Sequence, residues 1–146
     1  MTAWAIALVI SSGLFAGSVL AFAWDRVTAW RSMPLEEFGG DFGHVISKAD
    51  KIQPALLLIA VVSGVGYGLT QAGTARSLAF ASAAGSFVVM LASVAVLVPL
   101  QRRILRSMNQ DPESIRAMQR QWFSGHLGRT VVSIASFILA GVAVSM

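Results

Sequence analysis

No cysteine occurs in the 146 residues of this chain. Disulfides, thiolate metal sites and cysteine nucleophiles are therefore excluded. Charge is scarce as well. Asp, Glu, Lys and Arg make up 12% of the residues, against about 25% in an average soluble domain. There are 2 histidines, His44 and His126. Two imidazoles without a ligand cluster are thin support for a copper or haem site, which needs more ligands or a tuned axial pair. No metal ligand is assigned. Lys and Arg are also missing from the N-terminal stretch, where the first is Arg26. A secretory signal carries basic residues there and has a shorter apolar run. Ala21-Phe22-Ala23 resembles a signal-peptidase site, yet the segment is expected to be a retained span.

What the chain has is apolar length. Hydrophobic residues make up 55%, and the mean hydropathy is +0.70. Four runs stand out, at about 4–24, 52–69, 77–100 and 122–145. About 20 such residues cross a bilayer as a helix. Trp4 and Trp24 sit where aromatic belts form. The expected fold is all-α, an integral membrane four-helix bundle forming a single domain over 1–146. Gly13 and Gly17 form a GxxxG pair that lets a neighbouring helix approach. Gly64, Gly66 and Gly68 lie inside an apolar run with no strand before them, so they read as close packing sites and not as a nucleotide loop. The third run is rich in Ala and Ser, which also favours close packing.

The connections carry the charge. Residues 25–51 form a polar segment. Pro34, Gly39 and Gly40 should break it, with a helix from Asp41 onward. Pro54 suits a first helical turn or marks a kink. Residues 71–76 form a short turn. Asp111-Pro112-Glu113 is a helix start, with an N-cap candidate, a first-turn proline and an acid. The net charge is +4 and the pI near 10.7. All Lys and Arg except Arg76 lie on one side of the spans. The positive-inside rule makes that side cytoplasmic, with both termini outside, in the plasma (inner) membrane. Basic residues beside membrane spans point to the lipid bilayer and its anionic headgroups, not to nucleic acid.

One stripe organises the rest. Gln119, Trp122, His126, Arg129, Ser133 and Ser136 follow at intervals of three and four residues, one face of a helix. Ionisable groups carried into a hydrocarbon layer usually serve a site or a pairing. Ser11, Phe15, Ser18, Phe22 and Asp25 form a second stripe that could face the first. Pro99 frees a backbone carbonyl near the end of the third run, and Gln101 follows it. Arg102, Arg103 and Arg106 then form a basic cluster.

Val98-Pro99-Leu100-Gln101, followed by Trp122, His126 and Arg129, resembles the DUF1772 group of anthrone oxygenase-like membrane proteins. Those have four spans, a V-P-L-N type motif ending the third and a W-x-x-x-H-x-x-R type motif opening the fourth. The first run, with Gly13-Leu14-Phe15-Ala16-Gly17, is similar as well. Gln101 stands where the family usually has Asn. The resemblance implies a small oxygenase that converts anthrone-type polyketides to anthraquinones without metal or flavin, so no cofactor is expected.

For such a reaction a base removes an acidic C–H proton, and the carbanion reduces dioxygen. His126 is the natural base. Arg129 would stabilise the oxyanion. Trp122, Phe22 or Trp30 would stack on the rings, Gln101 would bond a carbonyl, and Asp25 is the leading partner for Arg129. A small aromatic substrate is the expected ligand. Three other readings compete. Arg129 pairs with Asp25 or reaches the headgroups while His126 caps a helix carbonyl. The bundle is a non-enzymatic assembly protein that pairs with itself as a homo-oligomer or with another membrane protein. Or His44 and His126 hold haem iron or copper.

Overall fold

The structure is a computed structural model that describes residues 1–146 apart from the side chain of Asp50. Four helices carry the chain: α1 Ala3–Ser32, α2 Leu35–Thr70, α3 Gly73–Arg106 and α4 Pro112–Ser145. They contain 30, 36, 34 and 34 residues. At 1.5 Å per residue they are about 45–54 Å long, whereas the hydrocarbon core is about 30 Å thick. Each helix is therefore long enough to cross the apolar layer and project beyond it. The protein is an all-α, integral membrane four-helix bundle, and all four apolar runs lie inside the helices.

The connections are shorter than the sequence suggests. Only Met33 and Pro34 separate α1 from α2. Proline disfavours the helical region for the residue before it, and Met33 is extended with φ −70° and ψ 138°. Glu36 and Glu37 then fill the first turn of α2, where the helix dipole favours acids. The expected break at Gly39 and Gly40 does not occur. Gly39 packs against Met108, where a Cβ would come within 2.8 Å of the thioether methyl, so tertiary contact outweighs the low helix propensity. At the opposite end the chain turns through Gln71 and Ala72 into Gly73. Its φ of +57° is a value that glycine adopts without steric cost. Asp111 caps α4 as expected, its carboxylate accepting from the Ser114 N–H at 3.0 Å.

Each helix packs on its chain neighbours, and α4 closes the ring against α1. Away from the Arg-rich end, the core consists of Ala5, Leu8, Tyr67, Ala79, Ala140 and Ala143. Small residues let the backbones approach. A Cβ on Gly64 would come within 2.9 Å of that of Ala83, and one on Gly85 would collide with the Ser136 hydroxyl. The Ser82 hydroxyl donates to the Ser136 carbonyl at 2.8 Å. Gly13 faces Phe137, but Gly17 faces outward with nothing near it. Only half of the GxxxG pair therefore packs inside the bundle. At the Arg-rich end the core turns aromatic, with Trp30, Phe38, Phe42, Trp122 and Phe123.

Between these two regions α1 and α3 each contain one π-helical turn, Ala23–Val27 and Ser93–Leu97. The second has a local cause. Pro99 lacks an N–H, and its ring crowds the carbonyl four residues back, so the backbone widens just before it. Such turns are frequent at functional sites.

Candidate functional site

The α4 stripe holds in the folded chain. Gln119, Trp122, His126, Ser133 and Ser136 are buried, and Arg129 is half-buried. Gln119 secures the end of α1. Its amide N–H donates to the Trp30 carbonyl at 3.0 Å, and its carbonyl accepts from Arg116 at 2.9 Å. Arg116 also donates to the Met33 carbonyl at 3.0 Å. The last carbonyls of a helix have no partner within it, and these two side chains supply one.

Trp122 sits among rings. Trp30 lies 6.0 Å away, Phe42 5.1 Å and Phe22 6.2 Å between centroids. The His126 ring stacks on it at 5.2 Å and 20°, with Phe22 packed 5.0 Å from the imidazole. His126 is 0% exposed. Its Nε2 lies 3.2 Å from the Val19 carbonyl oxygen of α1. A carbonyl only accepts, so Nε2 carries the proton and Nδ1 holds the lone pair in the neutral ring. Nδ1 and the Trp122 indole N–H are both buried, and neither has a hydrogen-bond partner among the described residues.

Arg129 reaches across the bundle. It donates to the Gln53 side-chain oxygen of α2 at 3.2 Å and to the Ser93 hydroxyl of α3 at 3.5 Å. Ser93 is the first residue of the π-helical turn. The expected pairing with Asp25 is not formed. Asp25 lies on the surface, 71% exposed at its side chain, with Arg26 at 3.2 Å. Arg26 also meets Asp41 at 3.5 Å, which accepts from the Trp30 indole at 2.6 Å. The second stripe faces the first at Ser11, Phe15 and Phe22 but fails at Ser18 and Asp25, for a geometric reason. From Phe15 the inward face of α1 continues through Val19 to Val27 and Trp30, leaving Ser18 and Asp25 outside.

A cavity of about 70 Å³ lies where the four helices meet at this level. A water needs roughly 10–15 Å³ of such space, so the cavity as it stands has room for several waters. Phe15 of α1 contributes to the wall, with Gln53, Pro54 and Leu57 of α2. Met90, Ser93, Leu97 and Gln101 of α3 and Trp122 and Arg129 of α4 also line it. The apolar groove outside, between α3 and α4, shares Leu97 and Arg129 with it.

The residues singled out in the sequence are thus divided. Gln101, Trp122 and Arg129 line the cavity. Phe22 and His126 pack together against the Trp122 ring and are not part of the lining. Asp25 is outside. His44 is exposed on α2, while His126 is enclosed against α1. Among the described residues, no three His, Asp or Glu side chains gather as a metal centre. Gln53 and Ser93 are additions. An amide beside a proline inside an apolar run was a usable signal for Gln53. Ser93 is one serine among many in its span, and nothing local distinguished it.

Residues 42–139, about two thirds of the chain, match the family described as Anthrone oxygenase. The match includes Gln53, Ser93, Gln101, Trp122, His126 and Arg129 and leaves out α1. No curated protein and no solved structure matches the chain.

Proposed function

We propose that this chain, which belongs to the anthrone oxygenase family, oxidises a phenolic aromatic ketone of the anthrone type, or a related quinol, with dioxygen and without metal or flavin. The observation that carries this reading is the cavity itself. A guanidinium, two amides, a hydroxyl and an indole meet there on otherwise apolar walls. Small-molecule sites have that composition, a few placed polar groups in an apolar cleft.

In this reading Arg129, held by Gln53 and Ser93, takes the substrate oxygen on which negative charge develops. Fixed charge in a water-poor site stabilises that charge without reorganisation. Gln101 binds a second oxygen. Trp122 stacks on the rings. Nδ1 of His126 removes a proton from the acidic methylene, after the Trp122 ring has turned from between imidazole and cavity. The carbanion passes one electron to dioxygen, the resulting radical and superoxide combine to a peroxide anion, and this takes the proton back from the His126 imidazolium to give a hydroperoxide. Loss of water leaves the new ketone. One oxygen atom remains in the product, and the other departs as water with the two methylene hydrogens. A tricyclic substrate needs more room than the resting cavity, and the groove beside Leu97 offers a route from the bilayer.

The asymmetry of Lys and Arg supports an orientation with this end of the bundle at the cytoplasmic face and both termini outside, and we assign the chain to the plasma (inner) membrane. Single cysteines introduced at Ser107 and Thr74 test that orientation in a chain without native thiols. Ser107→Cys should label from the cytoplasm, and labelling of Thr74→Cys from that side overturns it.

The activity is tested by anthrone oxidation under air, followed as oxygen uptake and anthraquinone absorbance. Removing a base typically costs about 10²–10⁴-fold in rate, so His126→Ala should lose turnover and keep substrate binding. Wild-type rates no faster than the uncatalysed reaction would remove the oxygenase reading and leave a membrane assembly protein.

A further inference from the structure

A recess on the outer surface of the Arg-rich end lies apart from the cavity. Arg31 at the end of α1 and Arg116 and Arg120 at the start of α4 form its walls, and Phe123, Ser124 and Leu127 its floor. It is open and encloses about 490 Å³. No Asp or Glu lines it, and none of the three arginines is in an ion pair among the described residues. Arg116 is held in place by the Gln119 side chain and the Met33 carbonyl. Both acceptors are neutral, so its charge is not cancelled. Three guanidinium groups around one recess repel one another. A bound anion removes that repulsion, and an arginine already fixed loses little freedom on binding it.

The surroundings say which anion. Arg116, Arg120, Ser124, Leu127 and Val131 follow one another along a single face of α4. The chemistry of that face changes from cationic to apolar. Leu127 and Val131 are 54% and 61% exposed, within the part of α4 that passes into hydrocarbon. A soluble phosphate would use the arginines alone. A phospholipid uses both halves, its phosphate among the guanidinium groups and an acyl chain against Leu127 and Val131. We propose that this recess is a specific site for one anionic phospholipid, independent of the reaction assigned to the cavity.

The test compares purified protein in nanodiscs of phosphatidylcholine with and without a minor fraction of phosphatidylglycerol. The lipid retained per protomer is read by native mass spectrometry after transfer to neutral detergent. Wild type should retain one phosphatidylglycerol. Each arginine near an anionic surface contributes about a factor of five in affinity, so the double variant Arg31→Gln/Arg120→Gln should retain it roughly thirtyfold more weakly. The control Arg102→Gln/Arg103→Gln removes the same charge elsewhere and should retain the lipid as wild type does. Equal loss in the control would show diffuse surface attraction and overturn the site. Binding of glycerol phosphate by wild type in detergent as tight as that of the lipid would make the recess a soluble-phosphate site and also overturn the proposal. All three proteins should give the same circular dichroism, because the substituted side chains are exposed.

Discussion

The two ends of the bundle are assembled from opposite kinds of side chain. Toward the Gln71–Ala72 turn, backbones meet across Gly64, Ala79, Ala83, Gly85, Ala140 and Ala143. At the Arg-rich end the same four helices are held apart by Trp30, Phe38, Phe42, Trp122 and Phe123. The difference follows from the solvent on each side. Inside hydrocarbon there is no hydrophobic gain in moving an apolar side chain from lipid to protein, so close backbone contact decides association. Where the helices project beyond it, burying an aromatic ring removes a large area from water. The cavity sits at the seam. There the close-packed spacing gives way to the aromatic spacing, and the two π-helical turns take up the change.

This contrast leads to opposite expectations for truncation and enlargement. Trp30→Ala removes a fully buried ring that also donates to Asp41, and should cost about 3–5 kcal/mol, read as a large drop in Tm in detergent. Ala140→Gly, also a loss of buried atoms but at the small-residue end, should cost no more than about 1 kcal/mol. Similar drops for both would break the comparison.

Arg129→Ala acts at the seam. In the proposed reaction Arg129 is an oxyanion donor, whose loss typically costs about 10²–10³ in kcat, so anthrone oxidation should fall by that order. If turnover survives, the guanidinium serves the packing of the bundle, its bonds to Gln53 and Ser93 included, and not the reaction.

Enlargement should hurt where truncation does not. Gly85→Val would drive a side chain into Ser136 and should cost about 1–3 kcal/mol by overpacking. The same change at Gly17, where nothing lies near, should leave Tm unaltered. A matching loss at Gly17 would mean that this outer face is occupied, as a second copy of the chain would do. The smallest effect belongs to Asp25→Asn. Its exposed pair with Arg26 should contribute less than about 0.5 kcal/mol, and turnover should not change. A strong loss of activity would return Asp25 to the site.

Much of this architecture was legible without coordinates. Four apolar runs of spanning length follow from the order of residues alone. The stripe from Gln119 to Ser136 follows from helical geometry, because residues three and four apart share a face whatever packs against them. That is why Trp122, His126 and Arg129 were found together. The α2 boundary was misjudged because Gly39 and Gly40 are poor helix formers in isolation, and the contact with Met108 that outweighs this lies almost seventy residues along the chain.

What the sequence by itself determined is the set of spans, the charged end and the face of α4 that carries Gln119, Trp122, His126 and Arg129. Each is a property of a single segment. Only the tertiary structure decided how neighbouring helices are turned about their axes. In hydrocarbon the outward and inward faces are both apolar, so the hydrophobic pattern of α1 does not say which side looks inward. The fold sent Asp25 to the surface, brought Gln53 and Ser93 to Arg129, and set the Trp122 ring between His126 and the cavity. Those choices depend on contacts among four helices and on the π-helical turns, each of which rotates the helix beyond it.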